Sequence, residues 1–116
     1  MYIDFDFNNN INGNVYNNGT LTGQAIITAT FTAAATEYKI IDAATSKYIR
    51  IIKALVNTDV IVIDLEKQYV TLNGVNAMLY LDLNSRFFKI PIANSYYTIT
   101  PVNVQNTKIT LTPKYL

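Results

Sequence analysis

Apolar and polar residues alternate with a period of two along most of this chain, and that rhythm predicts strands almost throughout. Tyr2 to Phe7 sets Ile3, Phe5 and Phe7 on one face and Tyr2, Asp4 and Asp6 on the other, as a half-buried strand requires. Asn8 to Asn18 is rich in asparagine and broken by Gly13, so it reads as a loop or short linker at the start of the domain. Ile26 to Thr32 turns Ile27, Ala29 and Phe31 inward and its threonines outward. Ala33 to Leu55 carries two readings. Tyr38, Ile41, Thr45, Tyr48 and Ile52 would line one stripe of a helix, whereas the β-branched residues from Ile40 onward favour two strands, with Asp42 to Ser46 as the turn between them. The strand reading is favoured. Val60 to Leu65, apolar on both faces until Asp64, is expected to be a central strand with both sides covered.

Asp64 to Pro91 carries the densest turn chemistry. Val70 and Leu72 alternate with Tyr69 and Thr71 up to Asn73-Gly74, a pair that tolerates the positive φ angles of a two-residue hairpin turn. Further strands are predicted for Met78 to Leu83, ending at Asn84-Ser85, and for Arg86 to Ile90, cut off by Pro91. Tyr96 to Thr100 and Lys108 to Thr112 complete the series, with Tyr97, Ile99, Ile109 and Leu111 facing in. Eight to ten short strands spaced in this way form an all-β fold, an antiparallel sandwich of two sheets of jelly-roll type. Phe5, Phe31, Ile61, Ile63, Leu72 and at least one of Phe87 and Phe88 are the expected core.

The order of an acidic residue, VTLNGVNA, YLDLNSRFFKIP and a last strand ending in KYL resembles the C-terminal half of the distal tail proteins of long-tailed phages. The likeness is strongest over Asp64 to Ile90, takes in Asn18-Gly19-Thr20 with Ile26 to Phe31, and fades over Met1 to Asn14. Two departures fall in loops or at the end: Ile92 follows Pro91 where such proteins usually have glycine, and the closing residues Leu111 to Leu116 are less basic. The resemblance implies a galectin-like sandwich on the outside of a ring built by an amino-terminal half. That ring would join the tail tube and tape-measure protein to the tip, while the sandwich holds receptor-binding or adhesion components. It implies a virion protein of the tail tip or baseplate, made in the cytoplasm of the bacterial host, from a phage or a prophage. The ring-forming half is expected outside these residues, so the 116-residue chain alone should be a monomer or a weak dimer.

Composition narrows the chemistry. The chain has 116 residues, enough for one domain that buries roughly two thirds of its unfolded surface without a staple. With no cysteine there is neither a disulfide nor a thiolate nucleophile, and with no histidine there is no Ser-His-Asp triad around Ser46, Ser85 or Ser95. A net charge of +1 with scattered cations offers no footprint for nucleic acid or an anionic membrane. The longest aliphatic runs fall far short of a bilayer span, and the acidic start MYIDFDF is not a secretory signal.

Three patterns invite a ligand or a reaction. Asp4, Asp6, Asn8, Asn10 and Asn12 recur like calcium-loop ligands but lack the glycine and the glutamate that such a loop needs. Asp64 and Glu66 stand two apart, roughly 7 Å on a strand, as an inverting glycosidase pair could, yet Lys67 beside them points to an ordinary turn. Neither pattern supports an enzyme or a cofactor, and none is expected. Among nine tyrosines, Tyr2, Tyr69 and Tyr96 are expected on outer faces, where they could contact a partner protein or stack on a host-surface glycan. A carbohydrate-binding module is therefore the alternative to a structural tail domain.

Overall fold

The computed structural model describes residues 2–8 and 11–115. They form ten strands: β1 (Ile3–Asn8), β2 (Asn12–Asn17), β3 (Leu21–Phe31), β4 (Ala35–Asp42), β5 (Tyr48–Leu55), β6 (Val60–Asp64), β7 (Tyr69–Leu72), β8 (Val75–Asn76), β9 (Ala93–Thr100) and β10 (Gln105–Lys114). Antiparallel pairing gives a six-stranded sheet, in the order β1-β10-β3-β6-β7-β8, and a four-stranded sheet, in the order β2-β9-β4-β5. The pairs β1 with β10, β2 with β9, β3 with β6 and β4 with β5 are nested, as if one long hairpin had been wrapped so that successive pairs fall in alternate sheets. That is jelly-roll topology. The β7–β8 hairpin extends one sheet, and its Asn73 and Gly74, with φ of 52° and 81°, make the predicted two-residue turn between Leu72 and Val75.

The core lies between the sheets, as the alternation requires. Ile27, Ala29 and Phe31 of β3, Ile61 and Ile63 of β6, and Ile109 and Leu111 of β10 face Tyr38, Ile40, Ile49, Ile51, Tyr97 and Ile99 from the other sheet. Phe31 meets Tyr38 edge-on, with centroids 5.9 Å apart, and Phe88 stacks on Tyr97 at 5.6 Å. The expected core holds for Phe31, Ile61, Ile63 and Phe88, while Phe5, Leu72 and Phe87 are only half-buried. Where tyrosine enters the core its hydroxyl is satisfied. Thr107 donates to Gln105 Oε1, which leaves its oxygen free to accept from Tyr38, and Tyr97 donates to Ser95.

Four local expectations need correction. The asparagine-rich stretch read as a loop carries β2, in which Val15 and Asn17 are buried and the side-chain amides help the ladder instead of competing with it. Asn14, for example, donates across to Asn94. Met78 to Leu83 is not a strand: Met78–Tyr80 form a 3₁₀ turn, and Leu79 and Leu83 are exposed. Arg86 to Ile90 also joins no ladder, apart from a bridge between Ile90 and Gly23. The chain here covers the free edge of β5 group by group. Leu81 bridges Ile51, Asp82 N–H donates to Arg50 C=O, Arg86 N–H donates to Tyr48 C=O, and Arg50 N–H donates to Ser85 Oγ. Capping an edge in this way removes a template for aggregation. Finally, β6 lies inside its sheet but is buried on one face only, with Val60 and Val62 half-buried on the uncovered side.

Ala33 to Leu55 resolves as two strands. Tyr38, Ile40 and Asp42, then Ile49, Ile51 and Leu55, are buried in period two, and of the helical stripe only Tyr38 is buried. Asp42 holds the turn between them by accepting from Ala44 N–H and Thr45 Oγ1.

The buried phenols make stability sensitive to alkali. Burial pushes the Tyr38 hydroxyl far above the ordinary tyrosine range, against the pull of its bond to Thr107, and pushes Tyr97 up to about 12. Unfolded chains lose these protons from pH 10, while the folded chain keeps them, so the stability they confer is complete below pH 10 and is lost as the pH rises above it, the share of Tyr97 by about 12. Melting temperature should therefore hold up to pH 10 and fall beyond it, with a shallower fall in Tyr97→Phe. Equal slopes in variant and parent would contradict the assignment.

Candidate functional site

The six-stranded sheet, the broader of the two, turns one face outward. Register places Asp4, Thr110, Ile26, Asp64 and Tyr69 in one row across it, and Asp6, Lys108, Thr28, Val62, Thr71 and Asn76 in the next. Ile26 is 40 % exposed at the middle of this face. A shallow depression of about 290 Å³ beside it is lined by Tyr2, Gln24, Ile26, Asp64, Glu66, Thr110 and Thr112. Among the described residues β1 leaves its outer edge unpaired in this sheet, and β2 does the same in the other.

The three sequence-predicted tyrosines all reach solvent, at 68 % for Tyr2, 38 % for Tyr69 and 58 % for Tyr96, but they do not converge. Tyr2 and Tyr69 stand at opposite margins of the six-stranded sheet. Four strand spacings separate them, on the order of 20 Å, and one sugar ring cannot touch both. Tyr96 lies on the four-stranded sheet opposite Asn14.

The candidate chemical patterns are taken up by the fold. Asp64 Oδ1 accepts from the backbone N–H groups of Glu66 and Lys67, each at 3.0 Å, and so ties the β6–β7 turn. Asp4 Oδ1 accepts from Thr110 Oγ1 at 2.7 Å, and its other oxygen lies 3.9 Å from Lys108. Asn10 of the calcium-like series lies outside the described residues, and among those described no three acidic side chains converge. Ser46 sits in a turn at φ 62°, Ser85 is bound to β5, and Ser95, buried in β9, accepts a hydrogen bond from the Tyr97 hydroxyl.

A second charged surface covers the four-stranded sheet. Arg50 Nε donates to Glu37, and Arg50 Nη1 lies 3.9 Å from Asp82, which also accepts from Tyr48. Lys39 lies over the Tyr48 ring at 4.5 Å. The Glu37 hydrogen bond, ahead of every other influence, raises the Arg50 pKa still further, so this cation stays charged. The cluster ties the 78–86 segment to β5 and positions that edge cover.

The sequence reading missed a cavity of about 590 Å³ at the end of the sandwich where β10 finishes, lined from the β4–β5 turn, the β6–β7 turn, the start of β3 and the segment around Phe87. Its residues come from five separate parts of the chain, and no spacing links them.

The whole sandwich superposes on a solved structure, the crystal structure of the SPP1 Dit (gp 19.1) protein, described as a paradigm of the hub adsorption apparatus in phages that infect Gram-positive bacteria. The TM-score is 0.83 at 21 % identity, over 97 % of this chain and 46 % of that one. This chain thus spans just under half of that protein's length. No curated protein is significantly similar in sequence. Residues 18–115 match the family described as siphovirus-type tail component, C-terminal domain, and the chain belongs to that family. It is thus a domain of a siphovirus tail component, and hence of the virion.

Proposed function

We propose that this jelly roll is the peripheral attachment domain of a distal tail protein at the tail tip, where it holds receptor-binding or adhesion components. The observation that carries this reading is the match of the entire sandwich to a protein described as part of a hub adsorption apparatus. The surfaces fit the role. The core is closed between two sheets, so the outer faces are free to carry partners, and the six-stranded sheet offers Tyr2, Ile26 and Tyr69 over a threonine-rich face whose charges, Asp4, Asp6 and Asp64 against Lys108, are mostly acidic. Tyrosine and aliphatic residues within a polar rim are what protein interfaces use. Ring contacts and the contacts to tail tube and tape-measure protein belong, in this reading, to an amino-terminal half. Baseplate assembly then leaves this face toward the adhesion components. A glycan site built on Tyr2, Tyr69 and Tyr96 would need these scattered tyrosines to act one at a time.

Cross-linking with mass spectrometry on intact particles tests the proposal, because Lys108 and Lys67 sit on or beside the six-stranded sheet's outer face. Cross-links from these lysines should reach receptor-binding or adhesion proteins. Cross-links confined to capsid or tube proteins would contradict it.

A further inference from the structure

We propose that the cavity at the end of the sandwich binds an acidic saccharide, a sugar bearing a carboxylate or a phosphate. The inference is independent of the attachment reading, because it rests on how the chain disposes its cations.

Nine lysines and arginines are present. Five are occupied within the described residues: Lys39 and Lys53 over the rings of Tyr48 and Tyr80, Arg50 with Glu37 and Asp82, Lys108 with Asp4, and Arg86 with the carbonyls of Leu83 and Ser85. Of the four that make no such contact, Lys47, Lys89 and Lys114 all line this one cavity. They come from the β4–β5 turn, the segment after Phe88 and the last residue of β10, so both sheets and the cover segment each contribute one. Three like charges around one space repel, and an anion in that space relieves the repulsion. Against them stand two carboxylates that line the same cavity, Asp42, engaged by Ala44 N–H and Thr45 Oγ1, and Glu66, so the cations exceed the acids by one.

The remaining walls specify more than an anion. Half-buried Phe87 brings aromatic surface, and the side chains of Thr22, Gln24 and Gln68 bring a hydroxyl and two amides that make no hydrogen bond within the described residues. Aromatic surface beside unused amide and hydroxyl groups suits a ring with hydroxyls on its edge and apolar C–H faces. A volume of about 590 Å³ falls inside the ~300–1,000 Å³ range of small-molecule sites.

The test is an NMR titration of the ¹⁵N-labelled 116-residue chain with glucuronic acid and with glucose 6-phosphate, set against glucose and inorganic phosphate at matched ionic strength. The acidic sugars should give saturable shifts confined to the amides around Lys47, Phe88, Lys89 and Lys114. Combining Lys47→Ala, Lys89→Ala and Lys114→Ala should weaken binding at least tenfold, and the three Lys→Arg changes should restore it. Lys47 and Lys89 are exposed, so their single alanine variants keep the fold and should each weaken binding severalfold. The proposal is overturned if neither acidic sugar saturates, if glucose or inorganic phosphate binds as well, if an acidic peptide binds and the sugars do not, or if the alanine variants bind like the parent.

Discussion

Replacing Phe31 with alanine should cost the chain about 3–5 kcal/mol, the usual penalty for emptying a buried phenylalanine site. For a domain of this length that is a fall in melting temperature of roughly 10–20 °C. Phe31 ends β3 at 1 % exposure, with its ring set edge-on to Tyr38 and its backbone tied to the β5–β6 turn through Asp59 C=O and Thr58 N–H. The site cannot collapse easily, because Tyr38 on one side is fixed by the Thr107–Gln105 chain of hydrogen bonds. The cost should therefore fall in the upper part of the range. Thermal melts followed by circular dichroism check this, and a variant that melts with its parent would refute the placement of β3.

The contact between Phe7 and Gly13 should give the second largest effect. A Cβ added at Gly13 would overlap atoms of the Phe7 ring, which packs against the glycine and lies 6.4 Å from Tyr97. Gly13→Ala alone should cost about 1–3 kcal/mol by overpacking. Phe7→Ala alone should cost about 3–5 kcal/mol by opening a cavity. The double variant should cost clearly less than the sum, since the new methyl occupies part of the space the ring vacates. Urea denaturation of the four proteins measures the coupling, and strict additivity would mean that the ring does not rest on Gly13.

The strands whose side chains alternate between core and water were legible, because period two records one buried and one wet face. Ile27, Ala29 and Phe31, Tyr97 and Ile99, and Ile109 and Leu111 are buried as the pattern requires. The segment from Met78 to Ile90 misled for a physical reason. It is an extended cover on β5, so Phe88 and Ile90 keep the alternation of a strand while the backbone serves its neighbour one group at a time. Strand β2 was hidden by asparagine and Gly13, residues that usually break strands; here Gly13 is needed for the close approach of Phe7. Turn chemistry was the most direct signal, since Asn73-Gly74 takes the positive φ pair that its composition allows. The surfaces were least legible. Tyr2, Tyr69 and Tyr96 could be assigned to outer faces from alternation alone, but which sheet each belongs to depends on nested long-range pairing that local spacing does not contain. The same pairing gathers Lys47, Lys89 and Lys114 at one cavity.

Whether this sandwich is an exterior domain at the tip of a siphovirus tail can be read from immunogold electron microscopy of intact particles with antibodies raised against the 116-residue chain. Gold should appear at the distal end of the tail, on particles that have not been disrupted. Label along the tube or on the capsid, or label that appears only after the tail is broken open, would contradict that placement.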